Sequence, residues 1–246
     1  MRLSTKGLIV KENNFSDDRL VVALTPDRGL IKAFVRGARR LKNRNASSTG
    51  LLCYSDLTFF KYKDTYTLDE ASVIEVFFEL RSDIEKLSLA QYFCELALSL
   101  APEEAEAEEF LRVVLNALSF LSNGKRDKRL IKAVTELRLL SISGYMPDIV
   151  ACAGCSEYEQ DEMFFDTVSA KIFCPKCKPE TPLIPVNRGV LFAMRHIIYS
   201  DINKLFMFSL SDQSLKILAS VTEKYLLAQT ERIYNTLDFY HSIVKE

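Results

Sequence analysis

The sequence carries little of what catalysis usually needs. It has no Gly-x-x-x-x-Gly-Lys-Ser/Thr loop to cradle nucleotide phosphates, no Gly-x-Gly-x-x-Gly turn and no Gly-x-Ser-x-Gly elbow. Histidine is scarce: only His196 and His241 occur, and neither adjoins a nucleophile motif. His196 follows Arg195 at the end of an amphipathic stretch and reads as a partly exposed helix residue. These absences lead us to expect a protein that is not an enzyme. No apolar run approaches the ~20 residues of a membrane span. Met1 to Val10 lacks the long apolar core of a signal peptide, so a cytoplasmic chain is expected. A surplus of one charge is also missing, since 32 Lys and Arg face 33 Asp and Glu. That balance argues against a uniformly basic nucleic-acid binder.

The average hides an asymmetry. Arg36, Arg39, Arg40, Lys42 and Arg44 fall together with no acid between them, and Lys125, Arg126, Lys128, Arg129 and Lys132 are opposed only by Asp127. Acid gathers instead at Glu103, Glu104, Glu106, Glu108 and Glu109, after Pro102. There it suits the positive end of a helix dipole and reads as a solvated helix start. A local basic field can steer a polyanion even when the total charge is near zero.

Periodicity divides the chain. Leu3–Lys11, Arg19–Thr25, Gly29–Val35, Leu51–Tyr62 and Tyr66–Phe77 are rich in β-branched and aromatic residues with partial alternation. Turn signals at Asn13-Asn14, at Pro26 to Gly29 and at Asn45 to Gly50 separate them. Five strands with no helical interruption suggest a small barrel or a sandwich. The basic run lies in a long loop between the third and fourth strands. Helical spacing then takes over, in apolar faces running from Ile84 to Leu100, Phe110 to Leu121 and Leu130 to Leu140. It returns from Val190 to Ile198, from Leu215 to Leu226, and through Ile233, Leu237, Tyr240 and Val244.

Between the helical stretches stands Cys152-x2-Cys155-x18-Cys174-x2-Cys177. Each Cys-x2-Cys turn places two sulfurs on one side of a tight knuckle, and two knuckles can offer four thiolates to a tetrahedral Zn²⁺. Met163 to Asp166 and Lys171 to Phe173 read as a hairpin between the knuckles, so the segment looks like a zinc ribbon. A catalytic zinc fits less well, because four cysteines close the coordination shell. An iron–sulfur cluster also accepts four thiolates. A redox dithiol would sit in a βαβ unit that is not evident here. Cys53 and Cys94 lie in apolar surroundings and read as buried filler. Near the basic loop, the aromatics Phe34, Phe59, Phe60, Tyr62 and Tyr66 raise a further possibility. Single-strand binders of the OB type pair a cationic groove with aromatic platforms for base stacking, although part of this set must fill the barrel.

The stretch Asp17-Asp18-Arg19-Leu20-Val21-Val22, followed by Thr25 to Gly29 and the run Leu30-Ile31-Lys32-Ala33-Phe34-Val35-Arg36-Gly37-Ala38-Arg39-Arg40, resembles the RecO family. The helical middle, the paired Cys-x2-Cys knuckles and the tail Glu231 to Phe239 continue the resemblance over nearly the whole chain. It implies an α+β protein with a five-stranded OB-type barrel at residues 1–80, a helical domain at 81–147 and 186–246, and an inserted four-cysteine zinc ribbon at 148–185. It implies a DNA-binding recombination mediator in DNA repair of the RecF type, bacterial and nucleoid-associated. Such a protein binds single- and double-stranded DNA, anneals complementary strands and helps load a recombinase. The implied partners are RecR and the acidic C-terminal tail of single-stranded-DNA-binding protein. On the residues themselves, Arg36, Arg39, Arg40, Lys42 and Arg44 are the expected DNA contacts. A groove for the tail is expected at Phe120, Arg126, Arg129 and Lys132, floored by Leu130, Ile131, Val134 and Leu137. Two other readings stay open: an adaptor that mainly docks proteins, and a zinc-ribbon transcription regulator.

Overall fold

The computed structural model describes residues 1–38 and 45–244. In chain order the elements are β1 (Arg2–Phe15), β2 (Asp18–Thr25), β3 (Gly29–Val35), β4 (Cys53–Tyr62), β5 (Thr65–Val76), α1 (Ile84–Leu100), α2 (Glu108–Asn123) and α3 (Lys128–Ile142). They continue with β6 (Glu162–Asp166), β7 (Lys171–Phe173), β8 (Ile184–Asn187), α4 (Arg188–Tyr199), α5 (Asp212–Thr230) and α6 (Asn235–Ile243). Two compact units result: residues 1–123 with 234–246, and residues 124–233. Among the described residues no helix is long and apolar enough to cross a membrane.

In the first unit, β1 to β5 form a closed barrel in the order β1-β2-β3-β5-β4. It is a barrel, not a sandwich, because β1 is long enough to pair with both β2 and β4. Leu8 lies opposite Leu24 on one side and Tyr54 on the other. The β3–β5 pairing is parallel, with Ala33 opposite Tyr66 and Phe34 opposite Thr67, and this is the crossover expected of an OB-type barrel. Alternation sorts the residues. Val21, Ala23, Ile31, Ala33, Val35, Leu57, Phe59 and Leu68 point inward and form the core. The first turn falls at Ser16-Asp17, not at Asn13-Asn14, which lie inside β1 opposite Leu20 and Arg19. Ser16 takes the left-handed conformation that this turn requires.

The helices α1, α2 and α6 belong to the same unit as the barrel. Asp83 caps α1 by accepting from the amides of Glu85 and Lys86. Tyr92 of α1 meets Tyr234 edge-on at 6.0 Å, just ahead of α6. The final helix begins two residues later than its apolar spacing suggests. Ile233, expected on its inner face, is 81% exposed, whereas Leu237 and Tyr240 are buried.

The second unit packs α3, α4 and α5 with a three-stranded sheet of order β7-β6-β8. Asp127 caps α3, Asn187 caps α4 and Ser211 caps α5. Tyr225 of α5 lies edge-on to Phe165 of β6 at 5.2 Å, so the ribbon shares apolar packing with the helices.

Candidate metal centre and nucleic-acid interface

Both knuckles hang from the β6–β7 hairpin. Asp166 shapes the hairpin turn, accepting from the amides of Val168 and Ser169. The Ala153 amide donates to the Ile172 carbonyl at 2.9 Å and draws the first knuckle onto β7. The four sulfurs of Cys152, Cys155, Cys174 and Cys177 lie within 4.8 Å of one another. Zinc–sulfur bonds of ~2.3 Å in a tetrahedron require sulfur–sulfur edges of about 3.8 Å. The Cys155 to Cys174 separation is 3.7 Å. The donor set and its spacing therefore fit a tetrahedral soft-metal ion.

Local electrostatics point the same way. Burial raises the Cys152 thiol, but amides of Cys174, Gly154 and Cys155 donate to its sulfur and bring it down to about 6. Cys177, which shares its hydrogen bonds with the neighbouring thiols Cys174 and Cys155, is pushed up to about 12. Four crowded sulfurs cannot all ionise without a cation among them. Gly154 is required by close approach: a Cβ there would stand 2.7 Å from Cys177 Cβ.

A residue that the sequence reading left unassigned holds this segment in place. Arg195 of α4 is buried, with its guanidinium 4.1 Å from the centre of the Tyr158 ring. It donates from Nε to the Ile149 carbonyl at 2.9 Å, and from Nη2 to the carbonyls of Val150 at 2.7 Å and Tyr158 at 2.6 Å. Those three carbonyls flank the first knuckle on both sides. The available signal was a lone arginine on the apolar face of Val190, Met194 and Ile198. His196 is half-buried, its Nε2 paired with the Lys204 carbonyl.

On the barrel, the expected DNA contacts Arg39, Arg40, Lys42 and Arg44 lie outside the described residues, and Arg36 is exposed at the end of β3. The stems around them are tied down by adjacent residues of β2. Asp18 accepts from the Gly37 amide at 2.7 Å. Arg19 donates to the Ala46 carbonyl at 3.2 Å and pairs with Glu12 at 3.3 Å. The aromatics divide. Phe59 and Tyr66 are interior and meet edge-on at 6.1 Å, whereas Phe34, Phe60 and Tyr62 are 44%, 53% and 68% exposed. Phe34, Thr67 and Phe60 stand in one cross-strand row over β3, β5 and β4, which continues to Arg2 of β1. Two strand spacings put Phe34 and Phe60 roughly 10 Å apart on the outer wall.

The residues expected to hold a partner tail fall in both units. Phe120 belongs to the first unit, and Arg126, Arg129 and Lys132 to the second. Lys132 is 3% exposed and ion-paired to Glu136 at 2.7 Å and Glu223 at 2.6 Å, so it is no rim cation. Arg129 bridges Asp127 and Asp212 at 2.7 and 2.9 Å. Leu130, Ile131, Val134 and Leu137 are buried core, because α3 turns its apolar stripe inward.

Fold and site together define an OB-type barrel protein that also carries helices and a ribbon whose four cysteines could hold a metal ion. The model for the N-terminal part of recombination protein O matches residues 1–77, and the C-terminal model matches residues 81–238. A DNA repair protein RecO of Acetivibrio thermocellus is 33% identical over 243 residues, spanning 98% of this chain and 97% of its own. That of Symbiobacterium thermophilum is 32% identical over 242 residues, with 96% of each chain covered. The chain belongs to the RecO family of recombination and DNA repair proteins.

Proposed function

We propose that this protein is a DNA-binding recombination mediator that anneals complementary strands and helps load recombinase onto single-stranded DNA in the bacterial cytoplasm, at the nucleoid. The observation that carries this reading is the outer wall of the barrel. It exposes Phe34, Phe60 and Tyr62 beside Lys32, Lys63 and Arg36. Successive bases stack on such rings whatever their identity, while cations track the phosphates. Residues 1–80 are thus the DNA-binding domain. Arg36, Arg39, Arg40, Lys42 and Arg44 are the proposed phosphate contacts, and no catalytic step is required.

The ion at Cys152, Cys155, Cys174 and Cys177 is proposed to be a structural Zn²⁺. When bound, it would supply charge to unite four thiolates and leave no open position for chemistry. RecR is the proposed protein partner. For the acidic tail of single-stranded-DNA-binding protein, Arg126 and Arg129 are the proposed rim residues, Arg129 having to leave Asp127 or Asp212 to pair with the tail, and Lys132 is withdrawn on account of its burial. A second reading, a protein-docking adaptor, is favoured by Val150, Tyr158, Phe192 and Tyr199, which are exposed beside a cavity of about 750 Å³ in the second unit.

A strand-annealing assay without ATP, run across a salt series, separates the two. The mediator anneals, and five phosphate contacts give log K against log salt a slope of about −3.5, at ~0.7 per contact for single strands. An adaptor does not anneal and shows no such slope.

A further inference from the structure

The acidic run after α1 is more than a solvated helix start. Residues 102–107 are strapped onto the barrel by the main chain. The Leu30 amide donates to the Pro102 carbonyl at 2.9 Å, and the Ala107 amide to the Pro26 carbonyl at 2.7 Å. The β2–β3 turn is built to receive this strap: a Cβ at Gly29 would stand 2.0 Å from the Pro102 oxygen. Glu104 then takes the left-handed conformation, φ +54, which non-glycine residues avoid. That turn aims its carboxylate at two donors of the barrel, Lys61 Nζ at 3.0 Å and Tyr66 Oη at 2.8 Å, with Arg28 Nη1 ion-paired at 3.6 Å. Beneath the strap lies a cleft of about 430 Å³ lined in part by Lys11, Lys32, Leu20, Val22, Tyr66 and Glu103.

This cluster is poorly explained as a stabilising device. Partly exposed ion pairs contribute little, and the strained backbone at Glu104 opposes what they give. Its composition, two cations and a phenol hydroxyl converging on one anion, is instead what a phosphate would meet. Lys61 and Tyr66 pair with each other one position from Phe60 and Thr67, and since side chains alternate they lie on the opposite, inner face of the strand pair, at the end of the barrel and not in the row of exposed aromatics.

We propose that Glu104 is an internal competitor of nucleic-acid phosphate, an anion held on a strap at the end of the barrel that a DNA strand must displace to engage Lys61 and Arg28, with the Tyr66 hydroxyl behind them. This rests on the reading of the barrel as a DNA-binding surface. The strap lowers affinity for DNA and makes full engagement depend on a polyanion able to outcompete one fixed carboxylate.

The test is fluorescence anisotropy with a labelled oligothymidylate over a salt series, on the full chain. Glu104→Gln keeps the shape and removes the charge. Glu104→Gly also removes the backbone strain, because glycine accepts φ +54 without penalty, and so protects against misfolding. Both variants are expected to bind roughly 3- to 10-fold tighter at low salt. Their salt slopes should steepen by about 0.7–1.4 as Lys61 and Arg28 gain phosphate contacts. Adding Lys61→Gln to Glu104→Gln should remove about half of the gain in slope, since it withdraws one of two such contacts. Parent-like affinity and slope in both Glu104 variants, with the parent binding DNA, would overturn the strap alone. Absence of binding in every protein would overturn the DNA-binding reading, and the strap with it.

Discussion

The barrel closes five strands around Ile31, Val35, Leu57, Phe59 and their neighbours, each nearly inaccessible to water. The ribbon has three short strands, whose inward residues are Met163, Phe165, Ile172 and Val186. Leu57 and Phe59 alternate with exposed or half-exposed residues along a ten-residue strand, so hydrophobic burial and a continuous hydrogen-bonded ladder can hold the barrel. The ribbon is too short for that. It adds Tyr225 from α5, the Arg195 clamp on three carbonyls, and four clustered sulfurs that could hold a metal ion. Two small β structures in one chain thus answer the same entropic problem, one with apolar area and the other with buried polar ties and a cluster of potential metal ligands.

The contrast breaks most sharply at the metal. Cys174→Ser should abolish binding of about one zinc per chain, a site of the kind worth on the order of 10–16 kcal/mol. Amide protection should collapse around residues 152–177 and persist in β1 to β5. Elemental analysis with hydrogen exchange checks both. Iron in place of zinc, or protection lost equally from the barrel, would defeat the distinction. Next in size is Leu57→Ala. Truncation of a leucine in a closed core costs roughly 2–5 kcal/mol. Denaturant unfolding should register it, while metal content stays at the parent level. Smaller again is Arg195→Met, which leaves the carbonyls of Ile149, Val150 and Tyr158 without their donor. The expected cost is ~1–3 kcal/mol per unsatisfied group before local relaxation. Metal affinity should also fall by about 10- to 100-fold, as happens when an outer support of a metal site is lost. A competitive chelator titration measures that fall, and unchanged affinity would reduce Arg195 to a packing residue.

The same contrast explains what could be read in advance. Strand β3 was legible residue for residue, because Gly29 opens it and alternation runs unbroken to Val35. The knuckles were legible because thiolate geometry fixes their spacing. Strand β8 was hidden by Pro185. A proline reads as a stop, yet at the sheet edge its missing donor is tolerated, and Pro185 lies opposite Phe164. Asn13 and Asn14 read as a turn and lie in β1, since tertiary pairing overrides local preference. The expected helical domain joins α1 and α2 to the later helices by sequence order, while α1 and α2 share a compact unit with the barrel. The partners of the Arg195 clamp and the Glu104 cluster lie 37 or more positions away, so even where a lone arginine on an apolar face stands out, no local pattern names what it binds.

The central claim, that exposed rings on the barrel wall carry single-stranded DNA, is tested most directly by anisotropy of a labelled oligonucleotide with the double variant Phe34→Ala, Phe60→Ala. Base stacking contributes ~1–3 kcal/mol per base. The variant should therefore bind at least about tenfold more weakly, with the salt slope of the parent retained because no cation has been removed. Affinity equal to the parent's would contradict the claim and move the DNA off this face.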